Sequence, residues 1–106
     1  MPKLALYVLM SAKPGKEQDV ADFLRGAQSL VDSEPGTRTW YAFQEGPSQF
    51  AIFDTFDDEA GRDAHLNGDV AKALMAKADE LFSEAPTIQK LDILASKVTQ
   101  KPSMRS

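Results

Sequence analysis

His65 is the only histidine in the 106-residue chain, in the stretch Asp63-Ala64-His65-Leu66-Asn67-Gly68. Imidazole changes charge near neutral pH, so a histidine facing a pocket can accept a proton or donate a hydrogen bond to a bound molecule. The plainer use of a histidine at a helix end is structural: it satisfies free carbonyls or packs at the rim of the core. Asp54 is the second candidate. It interrupts the apolar run Phe50-Ala51-Ile52-Phe53-Asp54-Thr55-Phe56, and aspartate is depleted in strands. On the face it shares with Phe50, Ile52 and Phe56, an unpaired carboxylate is expensive to bury. Asp54 must therefore be neutral or find a partner, the candidates being His65, Thr39 and Arg62. It orients His65 or binds a substrate hydroxyl, or else it ties its strand to the second helix by a structural hydrogen bond.

Around these two groups stand Tyr7, Trp40, Tyr41, Phe43, Phe50, Phe53 and Phe56. Most of them should fill the core. An aromatic wall with one or two polar groups is also what a flat apolar ligand requires. Tyr41, Phe56, Trp40 and Tyr7 are the expected ligand contacts, and the two tyrosines can donate to a phenol or quinone oxygen.

Composition removes other chemistries. No cysteine is present, so thiolate nucleophiles, disulfides and Cys zinc or iron–sulfur sites are excluded. One histidine cannot build a multi-His metal site. Asp57-Asp58-Glu59 lacks Ca²⁺-loop spacing and reads as the solvated start of a helix, so no metal site is expected. Neither G-x-S-x-G, G-x-G-x-x-G nor a P-loop occurs. Twelve Lys and Arg against 16 Asp and Glu give a net charge of −4, with no basic run to meet nucleic acid. The apolar stretch near Met1 is too short to span a membrane and lacks a signal-peptide pattern. A soluble protein of a reducing compartment, the cytoplasm, is expected.

The elements that must position His65 and Asp54 follow from periodicity. Residues 3–12 alternate as a strand with apolar residues on both faces, ended by Pro14-Gly15. From Lys16 to Ser33, Val20, Phe23, Leu24, Ala27, Leu30 and Val31 recur at helical spacing, and Glu34-Pro35-Gly36 stops the helix. Thr37 to Glu45 and Ser48 to Phe56 read as a hairpin joined by a two-residue turn, Gly46-Pro47. With Glu45 opposite Ser48, Tyr41 faces Ile52, Thr39 faces Asp54 and Trp40 faces Phe53. Asp57 or Asp58 caps a second helical region, broken at Asn67-Gly68 and resumed with Asp69 as cap. Residues 87–96 form a last strand, and 99–106 a polar, flexible tail after one domain over 1–98.

The order β-α-β-β-α-β is the α+β, ferredoxin-like arrangement with a four-stranded antiparallel sheet. Two helical layers of this size cover one sheet face, yet the strands are apolar on both. An exposed apolar face of that extent marks an interface, so a homodimer packed sheet face to sheet face is expected.

Lys13-Pro14-Gly15-Lys16, Glu34-Pro35-Gly36 and Phe56-Asp57-Asp58-Glu59-Ala60, followed by Ala64-His65-Leu66, resemble the antibiotic biosynthesis monooxygenase family from Leu4 to Ala95. The resemblance implies a dimeric α+β barrel with a pocket between sheet and helices in each subunit. It also implies oxidation of polycyclic phenols or quinols by O₂ with no cofactor, neither metal nor flavin. His65 falls on the histidine of the family's A-H-L stretch, Asp54 where many members carry Glu, and Phe56 where many carry Trp. A haem-degrading branch uses a second histidine about ten residues further on, where this chain has Met75.

Two functions follow as expectations. In the first, a small aromatic or quinone-like ligand is oxidised by O₂, His65 taking its proton and Asp54 fixing the imidazole. In the second, a non-catalytic dimeric barrel binds a hydrophobic ligand or serves a stress-related role, and Asp54 with His65 is a structural pair.

Overall fold

A computed structural model describes residues 2–99; of the expected tail, all but Thr99 lies outside the described residues. The chain runs β1 (Leu4–Ser11), α1 (Glu17–Val31), β2 (Thr37–Gln44), β3 (Gln49–Phe56), α2 (Glu59–Leu66), α3 (Asp69–Leu81) and β4 (Thr87–Asp92). The four strands form one antiparallel sheet in the order β2-β3-β1-β4. This is the ferredoxin-like α+β fold, with its second helical region divided into α2 and α3.

One sheet face packs on helices. Val8, Met10, Phe50 and Ile52 meet Val20 and Leu24 of α1 and Leu74 and Leu81 of α3 in the main cluster. A smaller cluster of Ala27, Val31 and Val70 continues it, and Trp40 packs against both. The opposite face carries Tyr7, Leu9, Tyr41, Phe43 and Phe53, with Tyr41 59% and Phe43 40% exposed.

The turns carry the reasons for the boundaries. Gly15 at φ 86° reverses the chain after β1 in a conformation that glycine adopts without steric cost. Asp58 caps α2 by accepting from the Gly61 N–H at 2.9 Å. Asn67-Gly68 then divides the helices as expected, but the cap of α3 is Gly68, and Asp69 lies inside the first turn. The last strand is shorter than expected and ends at Asp92. Ile93 N–H still donates to Lys3 O at 2.8 Å, while Leu94 is 97% exposed.

The β2–β3 hairpin departs from its expected register by one residue. Thr39 pairs with Thr55, Trp40 with Asp54, Tyr41 with Phe53 and Phe43 with Ala51. The cause is the turn. A two-residue turn with glycine first needs a positive φ at that glycine, and Gly46 does not have one. Instead the N–H groups of Glu45 and Gly46 both donate to Gln49 O, at 2.7 and 3.3 Å. Because side chains alternate with period two, the slip puts Trp40 rather than Tyr41 on the face of Asp54.

Candidate functional site

Asp54 lies in the centre of β3, fully buried between β1 and β2. His65 stands in the last turn of α2, which crosses the same sheet face. Its Nε2 is 2.9 Å from Asp54 Oδ2. The pair is within ion-pair distance but off the alignment of a hydrogen bond, so neither Asp54 oxygen has a hydrogen-bond donor among the described residues. The ring of Phe56, two residues along β3, lies 5.5 Å from the imidazole at 44°.

The other ring nitrogen has a second carboxylate. Nδ1 of His65 lies 2.5 Å from Glu34 Oε1, and that oxygen also accepts from Thr37 Oγ1 at 2.8 Å. Asp54, His65 and Glu34 thus form a carboxylate–imidazole–carboxylate array running from the sheet to the loop after α1. All three are buried or nearly so, Glu34 being the most exposed with 17% of its side-chain surface.

A backbone contact sets this distance. At Gly36 a Cβ would sit 2.9 Å from Gly61 Cα, and at Gly61 a Cβ would meet Gly36 O at the same separation. Only a glycine pair lets α2 approach the 34–37 loop this closely. In the sequence Glu34 reads merely as part of a helix stop. The signal that could have found it is electrostatic. An acid just beyond the C-terminus of a helix faces the negative end of the dipole, and α1 has no basic residue in its last turn to offset it. Such an acid requires a partner elsewhere.

Electrostatics couple the array. Burial alone pulls His65 down, but the two carboxylates of Asp54 and Glu34 against its ring nitrogens outweigh it, and the net shift is upward. Burial pushes Asp54 up, against the opposing effect of His65. Both groups hold their protons to higher pH than usual.

Two cavities adjoin the array. A cleft of about 580 Å³ opens between α1 and β2, lined by Leu24, Gln28, Glu34, Trp40, Ala42 and Phe50 among others. A smaller one of about 270 Å³ lies between the 34–37 loop and the α2–α3 junction, bordered by Glu34, Thr37, Gly61, His65 and Gly68. Glu34 and Thr37 border both. His65 borders only the smaller, and Asp54 neither.

The sequence-derived site residues therefore separate. His65, Asp54 and Phe56 come together, and Trp40 joins them as the direct cross-strand neighbour of Asp54. Tyr7 does not: it lies on the open sheet face and donates its hydroxyl to Glu45 Oε2 at 2.7 Å. That hydrogen bond, first among its causes, raises the phenol pKa. Tyr41 borders the edge of the larger cleft but its side chain belongs to the open face with Phe53. Neither of the other expected partners of Asp54 reaches it. The Thr39 hydroxyl pairs with that of Thr55 at 2.7 Å, and Arg62 donates to the carbonyls of Ala5 and Leu91 at 3.4 and 3.3 Å.

The sequence model of the antibiotic biosynthesis monooxygenase family matches residues 4–77, from β1 into α3. The chain belongs to that family. Among solved structures it is similar to a protein of unknown function from Nitrosomonas europaea, at 52% identity and a TM-score of 0.91 over 95% of this chain and 98% of that one. Two more distant structures share the fold. A Mycobacterium tuberculosis protein has 14% identity and a TM-score of 0.81, covering 91% of this chain and 99% of that one. A Pseudomonas aeruginosa protein has 21% identity and a TM-score of 0.77, covering 90% and 97%. Among the curated proteins, none matches. No helix among the described residues is long and apolar enough to cross a membrane.

Proposed function

We propose that this member of the antibiotic biosynthesis monooxygenase family oxidises a small aromatic phenol or quinol with O₂, in the cleft between α1 and β2. The observation that carries the reading is the Asp54–His65–Glu34 array, which reaches through Glu34 to the wall of a cleft that also presents Trp40. At about 580 Å³ the cleft falls within the size range of small-molecule sites, which is room enough for a two-ring ligand.

In this reading the phenol gives up its hydroxyl proton to the array, and the phenolate passes one electron to O₂. The aryloxyl and superoxide radicals combine at a ring carbon to form a C–O bond. The O–O bond then breaks: one oxygen stays as the new carbonyl, and the other leaves as water with the ring hydrogen and the stored proton. One phenol and one O₂ thus become one quinone and one water, the phenol supplying all four electrons. The protein's part is to bind, orient, exclude water and hold the proton. His65 stores that proton, and Asp54 fixes and neutralises the imidazolium.

We further propose that two copies pack through the open sheet face, where Tyr7, Leu9, Tyr41, Phe43 and Phe53 gather. One observation favours the non-catalytic alternative: both nitrogens of His65 are already engaged by carboxylates. Oxygen uptake with a panel of naphthols and naphthoquinols separates the readings. Turnover that drops in His65→Ala supports catalysis; no uptake with any of them supports the binding protein.

A further inference from the structure

We infer that the indole N–H of Trp40 is the hydrogen-bond donor of the α1–β2 cleft, and that it selects planar ligands carrying a bare oxygen acceptor, a ketone or a phenolate. The inference rests on the reading of that cleft as the ligand site. Trp40 is half-buried on β2 and lines the cleft together with Leu24, Ala42 and Phe50. Its Nε1 is buried and has no acceptor among the described residues. An indole nitrogen only donates, and a buried one normally has a partner. Without one it is costly.

The other side-chain donors of the lining are engaged or stand in solvent. Thr37 Oγ1 gives its proton to Glu34, the Thr39 hydroxyl pairs with that of Thr55, and Gln44 donates to Pro47 O at 3.5 Å. Arg25 and Arg38, 74% and 55% exposed, face Asp22 and Asp57. Gln28 is exposed, and Tyr41 belongs to the open sheet face. Glu34 offers the cleft no acceptor: Oε1 already takes Thr37 and His65, and Oε2 lies against Gly68 beside the smaller cavity.

What remains among the described residues is an apolar lining with one unspent buried donor. Bulk water does not reach Nε1, so its acceptor comes with the ligand. The indole borders open cleft, and its χ2 torsion is broad and roughly two-fold. A turn toward the cleft brings the N–H to an oxygen on the ring of the ligand. A phenol held this way gains as its proton leaves, because a hydrogen bond to a charged acceptor is the stronger one. Trp40 thus takes the donor role expected of Tyr7 and Tyr41, and it favours the ionised form of the substrate.

The test uses two near-isosteric probes, 1-tetralone, which carries a ketone, and tetralin, which has no oxygen. Neither has an O–H to ionise. The chain has one tryptophan, so a ¹H–¹⁵N NMR spectrum holds one indole N–H signal and needs no assignment. The benzene ring is common to both probes, so a difference between them reports the ketone. Tetralone is expected to move the indole proton downfield, tetralin is not, and tetralone should bind about tenfold tighter. Trp40→Phe, which keeps an aromatic ring in the wall, should abolish the preference, with folding checked by circular dichroism. Equal affinity for the two probes, or an indole signal that answers both alike, overturns the inference even if the variant does not fold. So does a preference that survives Trp40→Phe. Failure of both probes to bind removes the cleft as the ligand site and this inference with it. Otherwise the readings fail separately: ketone preference without oxygen uptake by naphthols removes the oxygenase proposal alone, and uptake without ketone preference removes this inference alone.

Discussion

Nε2 of His65 lies 2.9 Å from a carboxylate oxygen of Asp54, a residue with no solvent exposure in the middle of an apolar strand. The contact accounts for an aspartate where the strand pattern calls for a hydrophobic residue. It also makes the two side chains interdependent: a buried charge stripped of its partner costs far more than the pair contributes when intact.

His65→Ala should therefore leave Asp54 and Glu34 as buried carboxylates without a counter-charge and cost about 3 kcal/mol of stability. Adding Asp54→Asn should return part of that loss. Urea unfolding of the two variants checks both, and equal midpoints for wild type and His65→Ala would show that the array carries no stability.

The pH dependence has a definite sign. The folded pKa of His65 is raised above its ordinary 6.5, so its contribution is complete below 6.5 and disappears as pH rises through the folded value. Asp54 is raised above 3.8, so it too binds its proton more tightly in the folded state and destabilises as it ionises. Melting temperature should fall as pH rises above 6.5, and the Asp54→Asn, His65→Gln double variant should lose this slope. A melting temperature that climbs with pH in that window would contradict the assignment.

Gly36 and Gly61 hold α2 against the loop that carries Glu34. An alanine at either brings a Cβ within 2.9 Å of backbone, where no flexible side chain can yield. Each substitution should cost about 1–3 kcal/mol and weaken the His65–Glu34 contact. Chemical denaturation reads the first, and the histidine titration followed by NMR reads the second as a downward shift.

The open sheet face yields a prediction about assembly. Phe53 lies in its centre, flanked by Tyr7 and Tyr41 on the neighbouring strands. Static light scattering at micromolar concentration should give the mass of two chains for the wild-type protein and of one for Phe53→Glu. A monomeric wild type would remove the sheet-to-sheet dimer.

The element order was legible because the two periodicities are cleanly separated by Pro14-Gly15, Glu34-Pro35-Gly36 and Asn67-Gly68. The pairing of Asp54 with His65 was legible for a related reason: a carboxylate in an apolar strand must find a partner, and the chain has one histidine. The strand register was not, because it hangs on the backbone of Gly46, whose φ no residue type dictates. That one-residue slip exchanged Tyr41 for Trp40 beside Asp54. Glu34 escaped because its role arises from α2 crossing the loop at the glycine pair, a contact between residues far apart in sequence.

The most direct test of the oxygenase reading is the fate of oxygen itself. Naphthol incubated with the wild-type protein under oxygen-18 should give naphthoquinone carrying one labelled atom. His65→Ala should form it at least about a hundredfold more slowly, the scale of a lost general base. Equal rates in the two proteins, or a quinone with no label, would contradict the account.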